Sequence, residues 1–201
     1  MNIALCKPRM TREEFLDWAE IQDIRYEFDG FQPVAMTGGN VRHSQITVNL
    51  QVALTSRLAG RPCRSLGPDA GVRTTGDAVR YPDAVVTCTK VEDLARVLPN
   101  PVVVFEVLSP TSGHVDRIVK LREYQAVGSI RRYIIVESRS MALTVHARAE
   151  AEDAWITTAL TGDEILPLPE IGIEVPVAEL FAGTELADGG AGDAETTSPG
   201  D

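Results

Sequence analysis

The segment Val102-Val103-Val104-Phe105-Glu106-Val107-Leu108 constrains this chain more than any other. Pro99-Asn100-Pro101 turns the chain into it, and Ser109-Pro110-Thr111-Ser112-Gly113 breaks it off. The run has strand length, is rich in β-branched side chains and shows no polar alternation, so both faces of the strand must be covered. A strand of that kind belongs in the middle of a sheet packed between helices. It predicts an α/β chain with a mixed central sheet flanked by helices. Glu106 is the anomaly, because an unpaired carboxylate buried in such a strand costs several kcal/mol.

The flanking sequence supplies the other layers. Thr11-Arg12-Glu13-Glu14 has the capping-box pattern of a helix start, with Phe15, Leu16 and Trp18 following. Asp29-Gly30, between Arg25–Phe28 and Phe31–Met36, predicts a hairpin. After Asn40, a possible cap, a helix over about 41–58 aligns Ile46, Leu50, Ala53, Leu54 and Leu58 on one stripe. Residues 63–89 read as extended and become apolar toward Ala84-Val85-Val86. A helix is expected over about 115–126. Strands are expected at Arg132–Val136, Ala142–Ala147 and Ala154–Leu160, with a last helical turn at Val177–Phe181. Arg131-Arg132 reads as a solvated strand edge.

The chain has 201 residues, which suits one domain over 1–182. Residues 183–201 read as an acidic, disordered tail, rich in Gly, Ala and Thr. That tail holds Glu185, Asp188, Asp193, Glu195 and Asp201 without a Lys or Arg, so it accounts for half of the formal charge of -10. The remaining body is mildly acidic, which excludes a broad basic embrace of nucleic acid and leaves local, metal-assisted contact. Aromatic residues make up only 5%, so a base-stacking platform is not expected. No apolar segment is long enough to span a membrane. Cys6, Cys63 and Cys88 form neither a zinc spacing nor a disulfide framework, which predicts a cytoplasmic protein with free thiols.

The chemistry-bearing set is Tyr81-Pro82-Asp83, then Glu106, then Asp116 and Lys120. Asp83 directly precedes an apolar strand, as Glu106 interrupts one. If those strands are neighbours, the two carboxylates converge and repel unless a metal, a proton or a lysine lies between them. Magnesium suits them, since it takes oxygen ligands and often binds through one or two carboxylates plus substrate phosphates. Lys120 would then position the attacking water or oppose charge on a phosphodiester in its transition state.

These residues, with the run Glu106-Val107-Leu108-Ser109-Pro110-Thr111-Ser112 and Tyr124, resemble the Uma-two family of restriction-endonuclease-like proteins in the PD-(D/E)xK nuclease superfamily. The Tyr26–Gly30 hairpin and the helix carrying His43 also match that family's layout, and the resemblance runs from the Thr11 helix to Ile135-Val136. It implies a metal-dependent DNA endonuclease in which Asp83 and Glu106 bind Mg²⁺ or Mn²⁺ and Lys120 acts on the attacking water. Glu27 and His43 are possible supporting residues. DNA is the implied substrate, and a homodimer would suit cleavage of both strands. The superfamily's lysine stands two residues after the second acid, where this chain has Leu108, so the role passes to Lys120.

Each residue also has a structural reading. Glu106 pairs with an arginine, Asp83 caps a turn, Lys120 pairs with Asp116 at four residues' spacing, and Asp116 complements the dipole at a helix start. Glu27 faces solvent, His43 is a surface or core histidine, and Tyr124 packs in the core. The alternative function is a non-catalytic nuclease-fold module that binds nucleic acid or a protein partner. A hydrolase acting on another phosphoester would share the same site.

Overall fold

The structure, a computed structural model, describes residues 10–36, 38–109 and 115–188, with the side chains at 115 and 116 outside the description. Helix α1 (Arg12–Ala19) leads into a hairpin of β1 (Tyr26–Phe28) and β2 (Pro33–Ala35). The long helix α2 (Val41–Leu58) follows, then β3 (Arg64–Leu66), β4 (Val72–Arg73), β5 (Val79–Arg80), β6 (Ala84–Thr87) and β7 (Pro101–Val107). A π-helical turn (Val115–Lys120) runs directly into α3 (Leu121–Gln125). Strands β8 (Arg132–Val136), β9 (Ala142–Ala147), β10 (Ile156–Thr161), β11 (Ile165–Leu168) and β12 (Ile173–Pro176) precede the short helix α4 (Val177–Leu180).

Six strands form the central sheet in the order β10-β9-β8-β7-β6-β3, with β7 and β8 parallel and the other neighbours antiparallel. The apolar run thus lies inside the sheet, covered on both faces. Val103, Phe105 and Val107 face α2, α4 and the β11–β12 hairpin. Val104 faces the opposite layer, with Tyr133, Ile135 and the α3 residue Tyr124. A smaller antiparallel sheet, β2-β1-β5-β4, packs against α1, where Phe15 and Phe28 stack 5.0 Å apart.

Local chemistry explains most element ends. Thr11 and Glu14 close a reciprocal capping box at α1, and the Asn40 side chain accepts from the His43 amide to start α2. The buried residues of α2 are Ile46, Leu50, Ala53, Leu54 and Leu58, the stripe its periodicity predicts. Asn100, at φ 46°, makes the left-handed turn into β7.

The structure corrects some expectations and refines others. Cys63 and Cys88 form a disulfide, joining the chain just before β3 to the chain just after β6. The cysteines lie far apart in sequence, but the Arg64–Thr87 strand register brings them together. The extended stretch 63–89 is divided between two sheets: β3 and β6 join the central sheet, β4 and β5 the smaller one. The helix over 115–126 begins as a π turn. Arg132 is no edge residue, because β8 is internal and its guanidinium pairs with Glu170. Packing also continues past residue 182. Thr184 is buried and Leu186 lies against the main core, while 189–201 are outside the described residues. Among the described residues, no helix is long and apolar enough to cross a membrane.

Candidate active site

Asp83 and Glu106 lie at the same end of the paired strands β6 and β7. The antiparallel register sets Ala84 opposite Phe105, and Asp83 and Glu106 come one step further at the mouth of the two strands. Pro82 has no N–H for a ladder, and β6 starts only after Asp83. The freed Asp83 carboxylate turns back on the sheet, where Oδ2 accepts from the Val107 amide at 2.7 Å. Gln51 of α2 fixes the Asp83 backbone by donating to its carbonyl and to that of Leu66, and it accepts from Ser65.

His43 belongs to this end of the site. Its Nε2 lies 3.4 Å from Asp83 Oδ1, and both side chains are largely covered. The ring folds back over the loop before α2, where only glycine leaves room. A Cβ on Gly39 would fall 2.5 Å from His43 Cγ.

Glu106 is 5% exposed and accepts two hydrogen bonds at Oε1, from Lys120 Nζ at 2.9 Å and from the Tyr124 hydroxyl at 3.1 Å. Lys120 ends the π turn and Tyr124 lies four residues on, so both reach down from one helical face. Burial, then the charges of Glu106 and Glu27, hold the Tyr124 hydroxyl well above the ordinary tyrosine range. It is therefore a donor at any physiological pH. The core position expected for Tyr124 is right, and its hydroxyl faces the acid as well.

Glu27 is not the solvent-facing hairpin residue of the structural reading. It is 7% exposed, with Oε1 3.0 Å from Lys120 Nζ and 3.2 Å from the Tyr81 amide. Lys120 thus bridges two buried carboxylates. The Asp116 side chain lies outside the described residues.

Two residues had escaped the sequence reading. Arg80, 3% exposed, donates from Nη1 to Glu27 at 3.1 Å and grips Glu123 with Nε at 2.7 Å and Nη2 at 2.6 Å. Thr74 also donates to Glu123. Burial works against the Arg80 charge, but the Glu123 hydrogen bonds and the charges of Glu27 and Glu123 outweigh it and raise its pKa. The signals were present: Arg80 is the one base in the Val79–Val86 run, and Glu123 is three residues from Lys120.

The linked groups have unequal charge. Three carboxylates, at Glu27, Glu106 and Glu123, are joined to two basic side chains, Arg80 and Lys120. Among the described residues, no group of three or more His, Cys, Asp or Glu side chains could hold a metal ion. Asp83 and Glu106 offer a smaller, all-oxygen set. That chemistry fits magnesium, which fills its remaining positions with water and substrate oxygens.

A mixed sheet with acids at the mouths of two neighbouring strands, and a helix returning a lysine to the second, defines a restriction-endonuclease-like α/β protein. The chain belongs to the family described as "Putative restriction endonuclease", whose model matches residues 12–178. An uncharacterized protein of Synechocystis sp. is 29% identical over 178 residues, covering 88% of this chain and 93% of its own. A second uncharacterized Synechocystis protein is 21% identical, over 77% of this chain and 89% of its own. The crystal structure of "a putative nuclease belonging to DUF820" from Anabaena variabilis superposes with a TM-score of 0.66. It covers 86% of this chain and 97% of the Anabaena chain, and at 18% identity it speaks for the fold alone.

Proposed function

We propose that the protein is a divalent-metal-dependent DNA endonuclease, with Asp83 and Glu106 as metal ligands and Lys120 as the group that orients the attacking water. The observation that carries this reading is Lys120 Nζ against Glu106 Oε1, with Asp83 one residue beyond the Ala84–Phe105 pair of the neighbouring strands. Membership in a restriction-endonuclease family supports it.

When bound, Mg²⁺ or Mn²⁺ would supply Lewis-acid stabilisation of the phosphoryl group and lower the pKa of a coordinated water. The remaining roles fall to the chain. The Lys120 ammonium has three donors and no acceptor, so it holds an oxygen of the attacking water or of the phosphoryl group and does not take a proton. Glu27 holds that ammonium from one side, and Arg80 holds Glu27. Tyr124 fixes the Glu106 carboxylate by donating to Oε1, and the Val107 amide fixes Asp83. The site is thereby preorganised by residues that need not touch the substrate.

The test is cleavage of supercoiled and linear DNA by the full-length protein with Mg²⁺, Mn²⁺ or EDTA, together with calorimetric titration of Mn²⁺. The expected result is metal-dependent cutting that Asp83→Asn, Glu106→Gln and Lys120→Met each abolish, with Mn²⁺ binding lost in the first two. A wild-type protein that binds neither cation and cuts no DNA would support the non-catalytic alternative, which Leu108 in place of the superfamily lysine favours.

A further inference from the structure

Arg42 lies in the first turn of α2, next to the histidine that meets Asp83. Its guanidinium donates to the Ser138 carbonyl at 3.2 Å and to Glu185 Oε2 at 2.8 Å. The two anchors differ in kind. Ser138 is buried in the turn between β8 and β9, so its carbonyl is fixed by the sheet. The Glu185 side chain is 87% exposed and can leave by rotating about its own bonds. An ion pair this open to water is exchanged readily for a better partner.

Arginine presents a planar fork of donors that accepts a phosphodiester as well as a carboxylate. Arg42 is thus aimed by one partner and covered by another that mimics a phosphate. Arg117 of the π turn pairs with Glu137, the neighbour of Ser138. The segments that carry His43 and Lys120 therefore each bring an arginine to the same turn, at the end of β8 that pairs with the Glu106 end of β7. Glu185 is the first of five acids in residues 183–201, a stretch without Lys or Arg.

We propose that Arg42 contacts the nucleic-acid backbone beside the Asp83–Glu106 centre and that Glu185 occupies it in the free protein. Glu185 then competes with the substrate's phosphates for their docking point. This rests on the nuclease reading and adds to it a contact residue and a self-imposed restraint on binding.

The experiment is fluorescence anisotropy of a short labelled duplex with full-length proteins. Ca²⁺ replaces Mg²⁺ to prevent turnover, and binding is followed over a series of salt concentrations. Arg42→Ala is expected to weaken binding and reduce the slope of log K against log salt by about 1. Glu185→Gln is expected to tighten binding about two- to fivefold. In an Arg42→Ala background, Glu185→Gln should change nothing. A gain that persists there reflects general charge and overturns the proposal, as does an Arg42→Ala protein with unchanged affinity and slope. If those variants are silent while the wild type still binds and cuts DNA, only this inference falls. If the wild type binds no duplex at any salt concentration, the nuclease reading falls and takes this inference with it.

Discussion

The Lys120 ammonium lies 2.9 Å from Glu106 Oε1, and the two side chains are 8% and 6% exposed. A carboxylate inside an apolar strand is tolerable on such terms, because the cation and the Tyr124 hydroxyl replace the water it has lost. The same lysine lies 3.0 Å from Glu27. Its charge therefore separates two buried acids, a task a divalent ion could share.

Replacing that lysine exposes the arrangement to measurement. Lys120→Met leaves Glu27 and Glu106 buried beside each other without the intervening charge. In EDTA it should lower unfolding stability by about 3–5 kcal/mol, measured by urea denaturation. Added Mg²⁺ or Mn²⁺ should raise the stability of the variant more than that of the wild type, since the cation relieves a repulsion the lysine otherwise neutralises. Equal metal-induced gains in both proteins would mean that lysine and cation act independently.

Arg80 holds the second half of the cluster, and its fork geometry matters as much as its charge. Arg80→Met takes the cation from Glu123 and leaves Glu27 with Lys120 alone, and should cost about 3–5 kcal/mol in urea unfolding. Arg80→Lys should recover only part, because one ammonium cannot replace two parallel N–H bonds to Glu123 and a third to Glu27. In a double-mutant cycle, Arg80→Met with Glu123→Gln should lose less than the sum of the single changes. Additive losses would show that the bidentate contact contributes no coupling.

How much of this was legible follows from which interactions are local. The strand at Val102–Leu108, the α2 stripe and both helix caps depend on neighbours in sequence, and all are where periodicity and capping put them. Asp83 and Glu106 stand out in the sequence for another reason: acids bordering apolar strands need a partner. The pairing of Arg80 with Glu123 and Glu27 was hidden because these partners lie 43 and 53 residues away and come together only when the smaller sheet meets α3. The Cys63–Cys88 pair was hidden likewise, since 25 residues of chain separate two thiols that only strand register aligns. The π turn leaves no mark in the helical periodicity of residues 115–126, although it delivers Lys120 to Glu106.

That disulfide closes a loop whose ends are 25 residues apart, which in the chain-entropy account stabilises the fold by about 3–4 kcal/mol. A non-thiol reductant should lower the unfolding temperature of the wild type and leave a Cys63→Ser/Cys88→Ser variant unaffected. Thiol titration of the denatured protein should find two more reactive groups after reduction than before. Equal thiol counts would show that the bridge does not form in solution.

His146 supplies a pH dependence of definite sign. Its ring stacks on Tyr133 with 5.9 Å between centroids, and Nδ1 lies 2.8 Å from Thr157 Oγ1. Burial first, and the Arg117 charge second, lower its pKa below the ordinary 6.5. Below that value the unfolded chain takes up a proton that the folded chain still refuses, so protonation favours unfolding. Stability should therefore fall as pH drops from 6.5 toward the lower folded value, and be unaffected by this group well above 6.5. Urea unfolding across about pH 7.5 to 5.5 should give a shallower decline for His146→Gln than for the wild type. Parallel profiles would mean that the imidazole gains its proton as easily in the fold as in the open chain, and that the Thr157 contact and the Tyr133 stack do not restrain it.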